Sequence, residues 1–153
     1  MSNTATGDTT GTGSPSLTGK WALVTGAARR VGAEIATTLH AQGAGVAIHY
    51  RGSADQALQL AQKLNERRPG SALAVQADLV QTSQLGSLID TVTAHAGRLD
   101  ILINNASRFY PTPLASLNAQ QWTDLFGTNL KAPYFLAQAA APQTPQTEEE
   151  KAK

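Results

Sequence analysis

The chain has 153 residues, a formal net charge of +1 and a hydrophobic content of 41%, as expected for one globular domain or part of a larger one. This charge balance argues against a nucleic-acid partner, and no apolar run reaches the roughly 18 residues that a membrane span requires. The chain contains no Cys, so disulfides and thiolate metal sites are excluded, and we expect no metal site and a cytoplasmic location.

Both ends of the chain are polar. Residues 1–18 are rich in Ser, Thr and Gly and lack the apolar segment of a secretory signal, so they are predicted to form a disordered leader. Residues 142–153 are equally polar and are predicted to form a disordered tail. The segment expected to fold is therefore 19–141.

Short apolar runs alternate with amphipathic segments between these ends. The runs predicted to be strands are 21–25, 45–50, 72–76 and 100–103. Apolar residues at helical spacing follow each of the first three runs, for example Val31, Ile35 and Leu39. Because the runs are continuously apolar, we expect parallel strands that are buried on both faces. The sequence therefore predicts an α/β fold with a doubly wound parallel sheet.

A long helix is predicted after the fourth strand. It begins near Asn118, where the Asn118-x-x-Gln121 pattern is typical of a capping box. Trp122 lies in its first turns and is expected to belong to the core. Pro133 lies inside the helix and is expected to kink it, because proline cannot donate a backbone hydrogen bond.

The segment TGAARRVG, residues 25–32, joins the first strand to the first helix. A helix N-terminus offers free N–H groups and a positive dipole end, which attract phosphate. Gly26 would allow a tight turn, and Gly32 would let the helix pack closely on the strand. Arg29 and Arg30 add positive charge, with Arg30 at the position of the usual middle glycine. We predict a nucleotide-binding turn, and the alternative is a plain turn with solvated arginines.

The second strand ends in HYRGS, residues 49–53, and no carboxylate appears before Asp55. An acidic residue here would bind the ribose 2′-hydroxyl of NADH, whereas a cation at Arg51 and a hydroxyl at Ser53 suit the 2′-phosphate of NADPH. We therefore predict NADPH as the cofactor; the alternative is an ordinary loop in which Ser53 caps the next helix. The residues of this segment predicted to contact NADPH are His49, Tyr50, Arg51 and Ser53.

The third strand is followed by ADL, residues 77–79. Asp78 would lie at the carboxyl end of the sheet, where its side chain could accept a hydrogen bond from an adenine amino group. Leu79, beside it, is assigned to the same cofactor site. The alternative is that Asp78 caps the following helix.

These motifs, together with NNAS at residues 104–107 and the asparagine of GTNLKAP, resemble the short-chain dehydrogenase/reductase family in order and spacing over residues 20–141. Within it, Arg30, HYRGSADQA and above all NNASRFYPTPL are most similar to pteridine reductases. The resemblance implies a Rossmann-like fold, NADPH-dependent reduction of a pterin such as biopterin or dihydrofolate and, for the complete family member, a homotetramer. The alternatives are an inactive nucleotide-binding fragment and a reductase of another carbonyl substrate, such as an oxoacyl thioester.

The resemblance also implies roles for the residues that follow the fourth strand. Asn105 and Ala106 would line the adenosine and nicotinamide-ribose side of the cofactor, and Ser107 would reach a phosphate and the pterin. Phe109 would stack on the pterin, the alternative being that Phe109 and Tyr110 plug the top of the core.

Two further roles come from the same resemblance. Arg30 would lie near both the pyrophosphate and the substrate. Asn129 would support a proton relay through water, the alternative being a bond between its amide and a local carbonyl.

The family's Tyr-x-x-x-Lys pair is absent from the chain. In family reductases the tyrosine gives the proton, while the lysine lowers its pKa and binds the nicotinamide ribose. The tyrosines here are Tyr50, Tyr110 and Tyr134, and none has a lysine four positions later. We therefore expect a chain truncated before its catalytic pair, with the strand order 3-2-1-4 and the fourth strand at an exposed edge.

Overall fold

A computed structural model of the chain describes residues 16–144 and 152. Most of the predicted leader and tail therefore lies outside the described residues. The strands are β1 (Trp21–Val24), β2 (Gly45–Tyr50), β3 (Ala72–Gln76) and β4 (Ile101–Ile103). The helices are α1 (Arg30–Ala41), α2 (Ala54–Arg67), α3 (Thr82–Ala96), α4 (Ala119–Phe126) and α5 (Ala132–Ala140).

The strands form one parallel sheet in the order β3-β2-β1-β4, which confirms the predicted α/β fold class and strand order. β1 lies in the middle, between β2, which follows it directly, and β4, which comes much later in the chain. Because all the strands are parallel, their carboxyl ends meet at one edge of the sheet. The loops that start after Val24, Tyr50, Gln76 and Ile103 are thereby brought together, as at the ligand-binding edge of other open α/β sheets.

Each face of the sheet is covered by helices through its own apolar cluster. On one face, β1 and β2 pack with α1 and α2, which contribute Ala36, Ala57 and Leu64. On the other face, α3 and α5 pack against Leu23 of β1. The continuous apolar character of β1 and β2 follows from this double burial.

The long C-terminal helix contains a change of helical register. Its start matches the predicted capping box, since Asn118 accepts from the Gln121 N–H and the Gln121 side chain accepts from the Asn118 N–H. A π-helical turn, Gly127–Lys131, separates α4 from α5, and a 3-10 turn, Ala141–Gln143, follows α5. Pro133 is at the start of α5, two residues after the end of the π turn; the kink expected at this proline stays a prediction.

Trp122 does not belong to the core, contrary to the sequence expectation. Its side chain is 56% exposed and stacks on Phe126, with ring centroids 3.9 Å apart. Core contacts from this helical segment come instead from α5, through residues such as Leu136. No helix among residues 16–144 has the length and apolar content needed to cross a membrane.

A buried polar cluster joins α1, α2 and β3 at the edge opposite the strand carboxyl ends. His40, only 2% exposed, has its Nε2 atom 2.6 Å from Ser71 Oγ. Arg68 donates to the carbonyls of His40 and Ala44 at 3.1 and 2.5 Å. Burial lowers the pKa of His40, and the positive charges of Arg68 and Arg67 lower it further.

Candidate functional site

A cleft of about 790 Å³ opens at the carboxyl edge of the sheet, a size within the usual range for small-molecule sites. All the residues that sequence reasoning assigned to the cofactor line this one cleft: Gly26, Arg29, Arg30, Gly32, His49, Tyr50, Arg51, Ser53, Asp78, Leu79, Asn105, Ala106 and Ser107. Further lining residues, which sequence reasoning did not include, are Ala28, Val31, Gly52, Arg108 and Thr128.

The glycine turn presents unbonded amides to the cleft. Gly26 has φ +62°, its N–H donates to His49 Nδ1 at 3.0 Å, and the Ala27 N–H donates to the His49 carbonyl at 2.9 Å. The N–H groups of residues 28–32, at the start of α1, donate to no acceptor within residues 16–144. Free amides and the positive end of a helix dipole form a suitable site for an anion such as a phosphate.

Arg30 adopts a left-handed backbone conformation, with φ +54°, and it is the one non-glycine residue with positive φ in the described part of the chain. A side chain other than glycine in this conformation costs roughly 1–2 kcal/mol. The turn thus has a backbone conformation that favours glycine, yet the residue at this position is an arginine. Its side chain adds a positive charge to the cleft. Backbone strain of this kind is concentrated at functional sites.

The cleft carries an excess of positive charge. Arg29 and Arg30 are exposed, and neither forms an ion pair within residues 16–144. Arg51 is half exposed, with its Nε atom 3.9 Å from Asp78 Oδ1. Ser53 occupies the N-cap position of α2, but its side chain makes no capping bond. These cations and the free amides together suit a ligand with several phosphates.

Asp78 organises the turn between β3 and α3. Its Oδ1 atom accepts from the Val80 N–H at 3.2 Å, and its own N–H donates to Gln84 Oε1 at 2.8 Å. The N-cap position of α3 belongs to Gln81, so the alternative role of Asp78 as helix cap does not apply. The neighbouring Leu79 is 7% exposed and contributes mainly to the core.

Thr25, at the end of β1, holds the segment that follows β4. Its side chain is 1% exposed, and its Oγ1 atom accepts from the N–H groups of Asn105 and Ala106 at 3.0 and 2.9 Å. Asn105 Nδ2 donates in return to the Thr25 carbonyl at 3.0 Å. Sequence reasoning did not single out Thr25, although a hydroxyl at the end of an apolar strand was a usable signal.

The loop around Phe109 is fixed by two side chains of the long helix. Asn129 Oδ1 accepts from the Arg108 N–H and its Nδ2 donates to the Arg108 carbonyl, both at 2.8 Å. Asp124 accepts from the Arg108 guanidinium and from the Tyr110 hydroxyl, the latter at 3.1 Å. Phe109 lies between these two anchored residues and is 93% exposed, so it does not plug the core.

These contacts also affect titration. The hydrogen bond from Arg108 lowers the pKa of Asp124, against the opposing effect of burial. Burial raises the pKa of Tyr110, and the hydrogen bond to Asp124 raises it further. The carboxylate of Asp124 is therefore ionised at neutral pH and holds both residues that flank Phe109.

Two predicted site residues, Phe109 and Asn129, do not line the cleft itself. They belong to the loop and helix that adjoin it, next to Ser107 and Arg108. Among the described residues, no three His, Asp or Glu side chains lie close enough together to hold a metal ion.

Comparison with known proteins gives consistent matches. A family model described as short chain dehydrogenase matches residues 20–151. Pteridine reductase 1 of Leishmania tarentolae is 42% identical over 160 aligned positions, covering 84% of this chain and 55% of that protein. A 3-oxoacyl-acyl-carrier-protein reductase of Staphylococcus aureus is 36% identical, covering 81% of this chain and 50% of that protein. A hydroxynaphthalene reductase of Aspergillus fumigatus is 39% identical, covering 81% and 45%. The chain thus spans about half the length of these curated relatives.

Proposed function

Because the chain belongs to the short-chain dehydrogenase family, we propose that its cleft is the cofactor site of an NADPH-dependent oxidoreductase that reduces pterins. The observation that carries this proposal is the turn at residues 28–32, whose free amides face a cleft lined by Arg29, Arg30 and Arg51. This donor set fits the pyrophosphate and the additional phosphate of NADPH.

Each part of the cleft has a proposed task. The glycine turn and Arg29 bind the pyrophosphate, while Arg51 and Ser53 bind the 2′-phosphate. Asp78 accepts from the adenine, and Asn105 to Ser107 form the side of the cleft toward the nicotinamide ribose. The bound nicotinamide would supply a hydride.

The preference for NADPH rests on Arg51, and Arg51→Ala tests it. We expect this change to weaken NADPH binding about tenfold, the effect of losing one charge-assisted bond, and to leave NADH binding unchanged. The measurement is a chemical-shift titration of both nucleotides. Arg67→Ala is the matched control, because Arg67 is an exposed α2 residue outside the cleft and its loss changes the net charge equally. An equal loss for both nucleotides, or an equal loss in the control, would contradict the proposal.

A pterin is favoured as substrate by the loop around Phe109. Asn129 and Asp124 anchor Arg108 and Tyr110, so that Phe109 is held outside the core with its ring accessible. An accessible, fixed aromatic ring suits stacking on a flat heteroaromatic substrate, whereas an aliphatic oxoacyl chain would gain less from it. Arg30 and Ser107 would contact the polar edge of the pterin.

Asn129 is proposed to support proton transfer through water. Its two bonds to Arg108 leave one acceptor position on Oδ1 and one donor position on Nδ2. These positions could bind a relay water without releasing the loop.

We expect no turnover by the 153-residue chain, because general acid catalysis requires a proton donor within hydrogen-bond reach and the chain lacks a Tyr-x-x-x-Lys pair. The assay follows NADPH oxidation with biopterin and with dihydrofolate, beside a complete pteridine reductase as positive control. Pterin-dependent oxidation above the buffer rate would contradict the expectation. We also expect weak or no NADPH binding by this chain, because Asn105 to Ser107 supply only part of the nicotinamide-ribose site and the sequence has no Tyr-x-x-x-Lys lysine to supply the rest; saturable micromolar binding would contradict this.

A further inference from the structure

His49 lies behind the glycine turn, at the carboxyl end of β2. Its side chain is 2% exposed. Nδ1 accepts from the Gly26 N–H at 3.0 Å, and Nε2 lies 3.0 Å from the carbonyl oxygen of Ala77. The His49 carbonyl accepts the next amide of the turn, from Ala27, at 2.9 Å. One residue thus joins the turn after β1 to the ends of β2 and β3.

These contacts define the protonation state of the ring. The Gly26 N–H can only donate a hydrogen bond, so its acceptor Nδ1 must be unprotonated. The Ala77 carbonyl oxygen can only accept one, so Nε2 must carry the proton. Protonated His49 would direct an Nδ1–H at the Gly26 N–H, placing two donors against each other. The conformation of the turn is therefore compatible with the neutral imidazole alone.

Both charged and polar groups surround His49. Asp78 follows Ala77 and favours the protonated ring, and Arg29, Arg30, Arg51 and Arg108 line the same cleft. Burial lowers the pKa of His49 below its ordinary value, and this exceeds the raising effects of the Ala77 carbonyl and of Asp78. The ring is consequently neutral at physiological pH.

We propose that neutral His49 is a positioning residue that holds the glycine turn, and with it the free amides of residues 28–32, in the phosphate-binding conformation, and that protonation of His49 releases this turn. The assignment of phosphate as ligand rests on the proposed function, whereas the coupling between ring and turn does not. Because the folded pKa is depressed, the stabilising contribution is complete above about pH 6.5 and is lost as the pH falls through the folded pKa.

The test is an NMR titration of the full 153-residue chain labelled with ¹⁵N. At neutral pH we expect the Nε2–H tautomer and a through-hydrogen-bond coupling between the Gly26 nitrogen and His49 Nδ1. On acidification the coupling should disappear, and the amides of residues 26–32 should shift with the same midpoint as the ring, below about pH 6.5, while the amides of α5, a helix without histidine or carboxylate side chains, stay unchanged. An Nδ1–H tautomer, an absent coupling or a turn that moves only with global unfolding would overturn the proposal.

A pair of buried histidines provides matched variants. His49→Phe keeps a ring of similar shape without its nitrogens, and we expect altered amide shifts at residues 26–32 and about tenfold weaker NADPH binding. His40→Phe removes an equally buried histidine at the opposite edge of the sheet. We expect it to change neither the amide shifts of residues 26–32 nor the affinity for NADPH. Equal effects of the two variants would overturn a positioning role. If His49→Phe does not fold, the wild-type titration decides the proposal. The coupling decides the role of His49 whether or not the wild type binds a nucleotide, so a failure of the proposed function is distinguished from a failure of the positioning role.

Discussion

Gly32→Ala is expected to lower the free energy of unfolding by about 2–3 kcal/mol, at the upper end of the usual cost of overpacking. A Cβ atom at this position would lie 2.6 Å from Asn105 Nδ2 and 2.8 Å from Ala27 Cα, and closer still to the Gly26 carbonyl oxygen. Most of these neighbours are backbone atoms, so they cannot rotate away, and α1 would have to move from the sheet. Urea denaturation monitored by circular dichroism measures the change.

Gly86→Ala is the matched control for this variant. Gly86 lies in the interior of α3 (Thr82–Ala96), and a Cβ atom there would meet nothing within 4 Å. Alanine has the higher helix propensity, so we expect a gain of about 1 kcal/mol. The two glycine substitutions should therefore have opposite signs. A Gly32→Ala protein as stable as the wild type would show that α1 does not pack against β1 and Asn105 as closely as described.

Thr25→Val is expected to destabilise the chain by about 1 kcal/mol, the lower end of the cost of leaving a donor without its partner, because Ala106 is half-buried at the cleft. Valine has nearly the same shape, but it cannot accept from the N–H groups of Asn105 and Ala106. Asn105 retains a second acceptor in the Ile103 carbonyl, at 3.1 Å, so the loss falls mainly on Ala106. Urea denaturation gives the stability, and amide hydrogen exchange should show lost protection at Ala106.

Thr25→Ser separates the hydroxyl from the methyl group. Serine keeps the acceptor for both amides, so protection of Ala106 should be retained even though some packing is lost. If valine and serine at this position behave alike in hydrogen exchange, the Thr25 hydroxyl does not hold the loop after β4.

Much of the fold could be predicted because the sequence patterns that indicate its strands lie within short segments of the chain. The continuous apolar runs identify the strands to within one residue, and the predicted order 3-2-1-4 agrees with the sheet. The candidate cleft was predictable for a related reason. Its lining residues follow the carboxyl ends of parallel strands, which topology alone brings together. Once Gly26, Arg51, Asp78 and Asn105 are placed at these ends, their proximity follows.

The features that sequence reasoning missed depend on contacts between distant side chains and backbone. Thr25 is 80 positions from Asn105, and Asp124 holds Arg108 from 16 positions away. Neither spacing is periodic, so no pattern indicates which partners pair, even though the hydroxyl at the end of an apolar strand was a usable signal for Thr25 itself. The exposure of Trp122 was missed because the spacing of apolar residues identifies the apolar face of a helix but not which residues of that face contact the sheet. His49 was predicted as a cofactor contact, but the tautomer required by Gly26 and Ala77 is visible only in three dimensions.

The central position of β1 determines when the cleft can form during synthesis. β2 is the next strand to be synthesised after β1 and pairs with one of its edges, whereas the other edge pairs with β4, whose Ile101 aligns with Ala22. About 80 residues must therefore be translated in between, which takes roughly 4–16 s at ordinary elongation rates. Contacts this distant in sequence also slow folding in vitro. The nascent chain consequently passes through a stage in which the backbone N–H and C=O groups along one edge of β1 have no strand partner, and binding of a chaperone is expected to be strongest in that interval.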